Sequence, residues 1–378
     1  MRWISEPLSD ADWAAVLRAP AQQSLEVEPY WARLRPRLAE FGITRVADIT
    51  GLDKLGLPVV QAVRPRARSN AVTQGKARSL PAAAVGAVLE CLEMAAGEDL
   101  SRLPPAPASN LDLWSAYASG EAWPSQETPF VHARELTVNT WSAVPRDLLS
   151  TDFSRGASAE RAPILRHSIG LGAGSTLSAA LMHGLLECLE ADARNRAQHS
   201  GRRVRLSLAS DDPAYGDLLK TIHAQDLRAA VWALPGHAQV PVIEASVMER
   251  PGASALPLPA SGFAARFEPG AAVSAALLEA LQARLAVISG AREDITQPFY
   301  QHAYAPDVLN AEWARHGPDP FAQPMGGGRP VANVLELAQS LGPLYAVVLH
   351  WDPTLPLAIT RIVAPRLVTD PMQLERAA

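Results

Sequence analysis

The chain has 378 residues, of which 48% are hydrophobic and 19% are charged, and this balance excludes a long intrinsically disordered protein. The 34 Lys and Arg residues against 39 Asp and Glu residues give a net charge of -5, so we expect no nucleic acid and no anionic membrane as a partner. Two cysteines cannot form a disulfide framework, and acids occupy the N-terminus where a signal peptide has an apolar core. We therefore expect a cytoplasmic protein without a membrane span.

The N-terminal part of the chain begins with helical periodicity and then changes to strand-like runs. Residues 1–41 carry apolar side chains at helical spacing and are expected to form a helical segment that packs on the main body. The runs at 43–50 and 57–63 predict two strands, and the polar stretch 69–78 predicts a loop. A helix with one apolar face is expected over 80–96.

The rest of the chain alternates helices with strands. The Pro-, Ser- and Ala-rich segment 101–130 is expected to be irregular, and a Gly-rich loop at 170–176 leads into a helix over 177–195. Another helix is expected over 272–289. Strands are expected at 202–208, 229–234, 240–248 and within 345–364. This interleaving predicts a mixed α/β architecture with no clean linker between halves.

A short internal repeat carries the main chemical signal. The sequence Leu-Glu-Cys-Leu-Glu at 89–93 recurs without change at 186–190, each time on a predicted helix that follows a polar loop, and Leu-Glu-Ala-Leu-Gln at 278–282 is similar. Residues three apart on a helix are neighbours, so each helix presents a pair of carboxylates. Two such pairs facing one cleft would bind Mg²⁺ and its phosphates, whereas the alternative is that they are ordinary solvated glutamates.

The loops before these helices match no familiar nucleotide motif. The Gly-Lys dipeptide within 73–76 lacks the first glycine of a P-loop and the following Ser or Thr that binds Mg²⁺. The run 170–176 could expose backbone N–H groups to an anion, although a tight turn is the competing interpretation. The histidines have no zinc-binding spacing, and both cysteines are expected to fill small buried apolar positions.

Four stretches of the sequence, in this order, resemble the YcaO family, particularly its members encoded beside TfuA. They are 42–77, 88–93 (VLECLE), 168–193 (which includes LLECLEADA) and 277–294 (which includes LLEALQAR). The resemblance covers roughly residues 42–295, with a weaker echo at TRIVAPRL. It implies an α/β YcaO fold with internally repeated loop–helix units around a nucleotide cleft. It also implies ATP and Mg²⁺ as cofactors, and phosphorylation of a peptide amide oxygen before a nucleophile attacks the carbonyl carbon.

The resemblance also assigns residues and partners. The metal-holding glutamates of the family correspond to Glu90, Glu93, Glu187 and Glu190. Positions that line or support the nucleotide cleft correspond to Lys76, Ser175, Thr176, Glu279, Gln282 and Arg284. No catalytic residue is assigned. The expected partners are a peptide or protein substrate and a TfuA-like protein, and a homo-oligomer is left open. The expected divisions are an N-terminal helical segment at 1–41, a YcaO-like domain at 42–368 and a short tail at 369–378.

Several positions depart from the family pattern. Residues that usually bind or surround the nucleotide are replaced here by Gln23, Tyr30, Gly86, Ala179 and Ala191, and Ser175 stands where an Asn is frequent. Each lost charge-assisted contact weakens binding by about 1.5–3 kcal/mol. The sequence thus favours an ATP- and Mg²⁺-dependent enzyme that activates a peptide amide, with thioamide formation beside TfuA as its reaction. The alternatives are a non-catalytic docking subunit with an eroded site and a cyclodehydratase that forms azoline rings.

Overall fold

The structure is a computed structural model, and it describes residues 8–20, 26–118, 128–154, 166–252, 259–291, 295–303, 305–317, 331–352 and 354–370. The helices are α1 Asp10–Arg18, α2 Val27–Leu34, α3 Leu80–Ala96, α4 Leu111–Tyr117, α5 Leu177–Ser200, α6 Gly216–Ala224, α7 Pro269–Ser289, α8 Gln297–Ala303, α9 Pro306–Arg315 and α10 Val334–Leu341. Short 3₁₀ helices cover Arg35–Phe41, Thr50–Leu52 and Arg146–Leu149.

The strands alternate with these helices, which confirms the expected mixed α/β class. They are β1 Arg45–Asp48, β2 Val59–Val63, β3 Val72–Lys76, β4 Pro105–Ala106, β5 Phe130–Glu135, β6 Thr140–Pro145, β7 Leu171–Gly174, β8 Val204–Leu206, β9 Leu227–Ala233, β10 Val242–Glu249, β11 Ala260–Ala265, β12 Tyr345–Asp352 and β13 Leu357–Val363.

The described residues form three antiparallel sheets. One has the order β1-β2-β3, another β11-β10-β9-β8, and the largest β4-β5-β12-β13-β7 with β6 also paired to β5. Thus β3, β7 and β11 each lie at the end of a sheet, and each is followed directly by a long helix, α3, α5 and α7 respectively. Each of these strands packs on the helix that follows it.

Two loops expected from the sequence are strands. The stretch 69–78 contains β3, whose Gly75 lies opposite Val60 of β2, and the Gly-rich run 170–176 contains β7, whose Gly172 lies opposite Thr360 of β13. The polar and glycine-rich residues of these two strands do not alternate between apolar and polar. Pairing with the neighbouring strand and packing on the following helix hold them in place, and no apolar face is needed.

The segment 101–130 was expected to be irregular, but it contains a short strand, β4, and a helix, α4. Trp114 of α4 is fully buried and packs against Tyr345, with ring centres 5.1 Å apart. Strand β11 was not expected at all, since small residues fill it. The strand forms because it pairs with β10 along its length, although its sequence has no strand-like pattern.

Three glycines let these end strands approach their helices closely. A Cβ atom at Gly75 would lie 2.0 Å from the carbonyl oxygen of Ala83, and one at Gly172 would lie 2.1 Å from that of Ala180. A Cβ atom at Gly262 would lie 2.3 Å from a backbone nitrogen of α7. No side chain tolerates such contacts, so glycine sets the spacing between strand and helix in all three units.

The core is divided among these units. Helix α3 packs with α2 and the six-stranded sheet, α5 packs with β13 and α10, and α6 and α7 pack against β9 and β10. Tyr30 and Leu34 of the N-terminal segment belong to the same core as α3. The division at 1–41, 42–368 and 369–378 stays a prediction.

Helix α7 is long and apolar enough to cross a membrane when only length and composition are considered, and it is the one such helix among the described residues. Half of its most apolar window is buried, and it packs on β10 and β11. The core helices of globular proteins meet the same criterion, and the packing accounts for the apolar composition of α7.

Replacing Gly172 with Ala is expected to destabilise the protein by about 3 kcal/mol, because the new methyl group must displace the backbone of α5 or β7. Gly51 provides a matched control, since nothing lies within 4 Å of the Cβ position there and its backbone is unstrained. Urea denaturation of the two alanine variants measures the difference. Equal stabilities would show that the close approach at Gly172 does not constrain the fold.

Candidate functional site

The candidate site lies where the three strand–helix units meet. Glu90 accepts a hydrogen bond from the backbone N–H of Gln74 in β3 at 3.3 Å, so α3 is joined to its own strand. Glu93, one turn later, accepts from the N–H of Ala173 in β7 at 2.5 Å and joins α3 to the next unit. Backbone donors at the ends of two sheets are therefore satisfied by carboxylates from helix α3.

Helices α5 and α7 complete this arrangement. Glu187 of α5 accepts from the N–H of Gly170, just before β7, at 2.8 Å. Gln282 of α7 donates from Nε2 to the carbonyl oxygen of Gln74 at 2.9 Å, so α7 is joined to β3. The sequence-predicted residues Glu90, Glu93, Glu187 and Gln282 are thus brought to one place by tertiary contacts between units.

Mutual repulsion shows that the carboxylates are close together. Burial raises the pKa of Glu93 well above its usual range, and the charges of Glu187 and Glu90 raise it further. Burial also raises the pKa of Glu187 to about 8, with Glu190 as the next cause. The pKa of Glu190 is raised to about 7, by burial first and then by Glu279. Five carboxylates from three helices therefore share one electrostatic environment.

The cluster is partly open to solvent, and its solvent-facing side, lined by Glu90, Glu93, Lys76 and Glu279, is called the cleft below. The side chain of Glu93 is 12% exposed to solvent, and Glu90 is exposed. Lys76 of β3 reaches Glu279 of α7, with 3.3 Å between Nζ and Oε2. Both of these sequence-predicted residues are partly exposed and lie at the cleft.

Arg284 does not reach the cleft. Its guanidinium group is buried and pairs with Asp53 at 2.9 Å and with Glu249 at 2.8 Å, and Lys54 also pairs with Glu249. These contacts fasten α7 to the 3₁₀ helix after β1 and to the four-stranded sheet. Arg284 therefore holds α7 in place through contacts away from the cleft.

The predicted phosphate loop is the N-terminal cap of α5. The Thr176 hydroxyl accepts a hydrogen bond from the N–H of Ala179 at 3.2 Å, and Ser175 is partly exposed beside it. Glu187 and Glu190 lie further along the same helix, at about 1.5 Å of rise per residue. Ser175 and Thr176 are therefore separated from the carboxylates of α5 by about three helical turns.

The positions that depart from the family pattern fall in different surroundings. Tyr30 is buried in the core beside α3, and Ala191 is 2% exposed. Gly86 lies against Gly75, where an added Cβ atom would be 3.5 Å from the Gly75 Cα. Ala179 is partly exposed on the first turn of α5. Gln23 lies outside the described residues.

Three arginines lie near the cluster, and the sequence marks only Arg194 directly, because it follows the second glutamate pair on the same helix. Arg194 and Arg266 lower the pKa of Glu190, and the buried Arg361 lowers that of Glu187. Arg361 donates to the carbonyl oxygen of His167 at 2.9 Å. The TRIVAPRL echo contained a signal for Arg361, whereas nothing local marks Arg266, because strand β11 brings it to α5.

The residues present fit a Mg²⁺ ion that is shared with phosphate oxygens. Among the described residues, no three His, Cys, Asp or Glu side chains converge closely enough to enclose one metal ion. Mg²⁺ does not need such a cage, since proteins usually hold it with one or two carboxylates, water and substrate phosphates. Carboxylates with raised pKa values beside an open cleft are the donors that this coordination requires.

Without metal, the free energy of unfolding is expected to fall as the pH rises from about 4.5 to about 8. In this window the folded protein keeps a proton on Glu187 that the unfolded chain has released, so stability is highest below about 4.5 and is lost as the pH passes about 8. The variant Glu187→Gln removes this contribution and should gain stability over wild type as the pH rises. Parallel pH profiles of urea unfolding for the two proteins would contradict the assignment.

Comparisons with known proteins agree with this arrangement. The chain is 28% identical over 398 aligned residues to an uncharacterized protein of Mycobacterium tuberculosis, covering 97% of this chain and 87% of the relative. It is 28% identical over 379 residues to an uncharacterized protein from the tfuA 3′ region of Rhizobium leguminosarum bv. trifolii, covering 90% of this chain and 87% of the relative.

Solved structures share the fold. The chain superposes on YcaO from Methanopyrus kandleri bound with AMPPCP and Mg²⁺ with a TM-score of 0.72 at 21% identity, covering 93% of this chain and 94% of that one. The E. coli microcin synthetase McbBCD complex with pro-MccB17 bound gives a TM-score of 0.65 at 13% identity, covering 85% and 87%.

The family described as YcaO cyclodehydratase, ATP- and Mg²⁺-binding, matches residues 74–368 of the sequence. This description names the two cofactors that the resemblance implied, and the match spans more than half of the chain. The chain belongs to the YcaO family.

Proposed function

We propose that the chain is an ATP- and Mg²⁺-dependent enzyme that activates a backbone amide of a peptide or protein. The observation that carries this proposal is that carboxylates of α3 and α5 meet at the edge strands β3 and β7, while Glu279 of α7 pairs with Lys76 of β3. Oxygen donors of this kind suit Mg²⁺ together with the phosphates of a nucleotide. Membership of a family described as ATP- and Mg²⁺-binding supports the same conclusion.

The chain's own residues would prepare the site before a ligand arrives. Glu90, Glu93, Glu187 and Glu190 would hold Mg²⁺. Backbone N–H groups already orient Glu93 and Glu187, which limits the rearrangement needed when the metal binds. The nucleotide, when bound, would supply the phosphoryl group that converts an amide oxygen into a leaving group.

Within this class we favour thioamide formation with a TfuA-like partner. The relative from the tfuA 3′ region supports it. The family description as a cyclodehydratase supports the alternative, formation of azoline rings. Mass spectrometry of the peptide substrate after co-expression distinguishes them, because a thioamide gains mass when sulfur replaces oxygen whereas an azoline loses one water.

We also place the protein in the cytoplasm. Cys91 and Cys188 are free and buried, which agrees with a reducing compartment. The homo-oligomeric state stays a prediction.

A non-catalytic docking subunit is the second candidate. Ala191 is buried where relatives usually have an arginine, so an arginine could not be accommodated there without rearrangement. Gly86 and Ala179 likewise lack the polar side chains that relatives place beside the nucleotide. These positions weaken the nucleotide contacts and leave the carboxylates in place, so nucleotide binding is the property that separates the two candidates.

Millimolar Mg-ATP is expected to raise the melting temperature of the wild-type protein, since a ligand at about 100 times its Kd adds about 2.7 kcal/mol. Glu190→Gln should abolish this shift while leaving the unliganded protein at least as stable, because the change relieves repulsion with Glu279. Glu28→Gln, at an exposed position on α2, is the matched control and should keep the shift. If Mg-ATP does not stabilise the wild type, the docking-subunit function replaces the enzymatic one.

Gly86→Ser is expected to tighten Mg-ATP binding about fivefold, because it restores the hydroxyl that relatives place one turn before the first glutamate pair and adds about 1 kcal/mol. The substitution fits, since the new Cβ atom would lie 3.5 Å from the Gly75 Cα. Gly86→Ala gives the same gain in helix propensity without the hydroxyl and serves as the control. Equal affinities of the two variants by calorimetry would show that the hydroxyl makes no contact with the nucleotide.

A further inference from the structure

Two arginines beside the acidic cluster have no carboxylate partner among the described residues. Lys76 pairs with Glu279 at 3.3 Å. Arg194, in contrast, contacts the ring of Phe263, with 5.6 Å between the guanidinium carbon and the ring centre. Arg266 donates only to the neighbouring backbone carbonyl, at 2.7 Å. Within the part of the chain that the structure describes, neither arginine forms an ion pair, although both lie close enough to Glu190 to lower its pKa.

Helix geometry directs Arg194 towards the cleft. Each Cα–Cβ bond in a helix tilts towards the N-terminus, so a long side chain covers the turn that precedes it. For Arg194 this turn contains Glu190 and Ala191. The guanidinium group of Arg194, which lies over the ring of Phe263, can therefore serve the place that an arginine at position 191 would serve.

Strand β11 brings Arg266 to the same place. Phe263 and Ala265 pack into the core that includes α5, whereas Gly262 and Ala264 face α7. Arg266 follows directly at the end of this strand and is exposed. Strand β11 packs on α5, and its Phe263 lies under the guanidinium group of Arg194. Arg266 thus lies at the end of a strand that packs on α5, close enough to Glu190 to lower its pKa.

We propose that Arg194 and Arg266, together with Lys76, bind the phosphate oxygens of the nucleotide. Guanidinium groups bind phosphate with two parallel hydrogen bonds, and the donors of both arginines are free of carboxylates. The pair would replace the arginine that is missing at Ala191. This inference rests on the proposed function, since it assigns the phosphate contacts of that same site.

Calorimetric titration of Mg-ATP, Mg-ADP and adenosine against purified variants tests the proposal. Arg194→Met keeps an unbranched apolar side chain beside Phe263 and removes the charge, and Arg266→Gln removes the second charge at an exposed position. Each should weaken Mg-ATP binding at least about tenfold and leave adenosine binding unchanged. Arg194→Lys should recover part of the affinity, because it restores the charge without the planar fork.

Arg196→Gln is the matched control. Arg196 lies on the same helix but points away from Arg194, and it pairs with Asp192 at 2.8 Å, so its removal should not change the Kd for Mg-ATP. If the wild type binds Mg-ATP and both variants match it within about twofold, the inference is wrong and the proposed function stands. An equal loss for adenosine and Mg-ATP would also overturn it. If the wild type binds no Mg-ATP, both fail together.

Discussion

The structure depends on how it holds several carboxylates from different helices close together. Burial and mutual repulsion raise the pKa values of Glu93, Glu187 and Glu190. Hydrogen bonds from the backbone N–H groups of Gly170 and Ala173 offset part of the free-energy cost of this burial and repulsion. Basic side chains near Glu190 offset a further part. Such a cluster stores electrostatic free energy that a bound cation releases, so the architecture couples folding to metal binding.

The position of the cluster follows from the ends of the sheets. A strand at the end of a sheet has backbone donors and acceptors on one side that its neighbour does not use. Here the carboxylates of α3 and α5 accept from β3 and from the start of β7, and the amide of Gln282 donates to β3. Backbone N–H and C=O groups that could otherwise pair with another strand instead orient the side chains of the site. The sheets thus meet through their helices and do not merge into one sheet.

Close packing sets the precision of this arrangement. Because Gly75, Gly172 and Gly262 have no side chain, each strand lies directly on the backbone of its helix, and the carboxylates can reach across to the next unit. Arg284 and its two buried acidic partners hold α7 from the far side. These contacts hold the three helices of the site without any ligand, which is the condition for a preorganised binding site.

Helical periodicity, the repeated glutamate pairs and the apolar runs were sufficient to predict α3, α5, α7, most strands and the four metal-holding candidates, because these features are local in the sequence. Tertiary structure alone decided that 69–78 and 170–176 contain strands and that 111–117 forms a helix. It also placed Arg266 beside Glu190. These features depend on pairing partners and helix contacts far away in the chain, and no local pattern encodes such contacts.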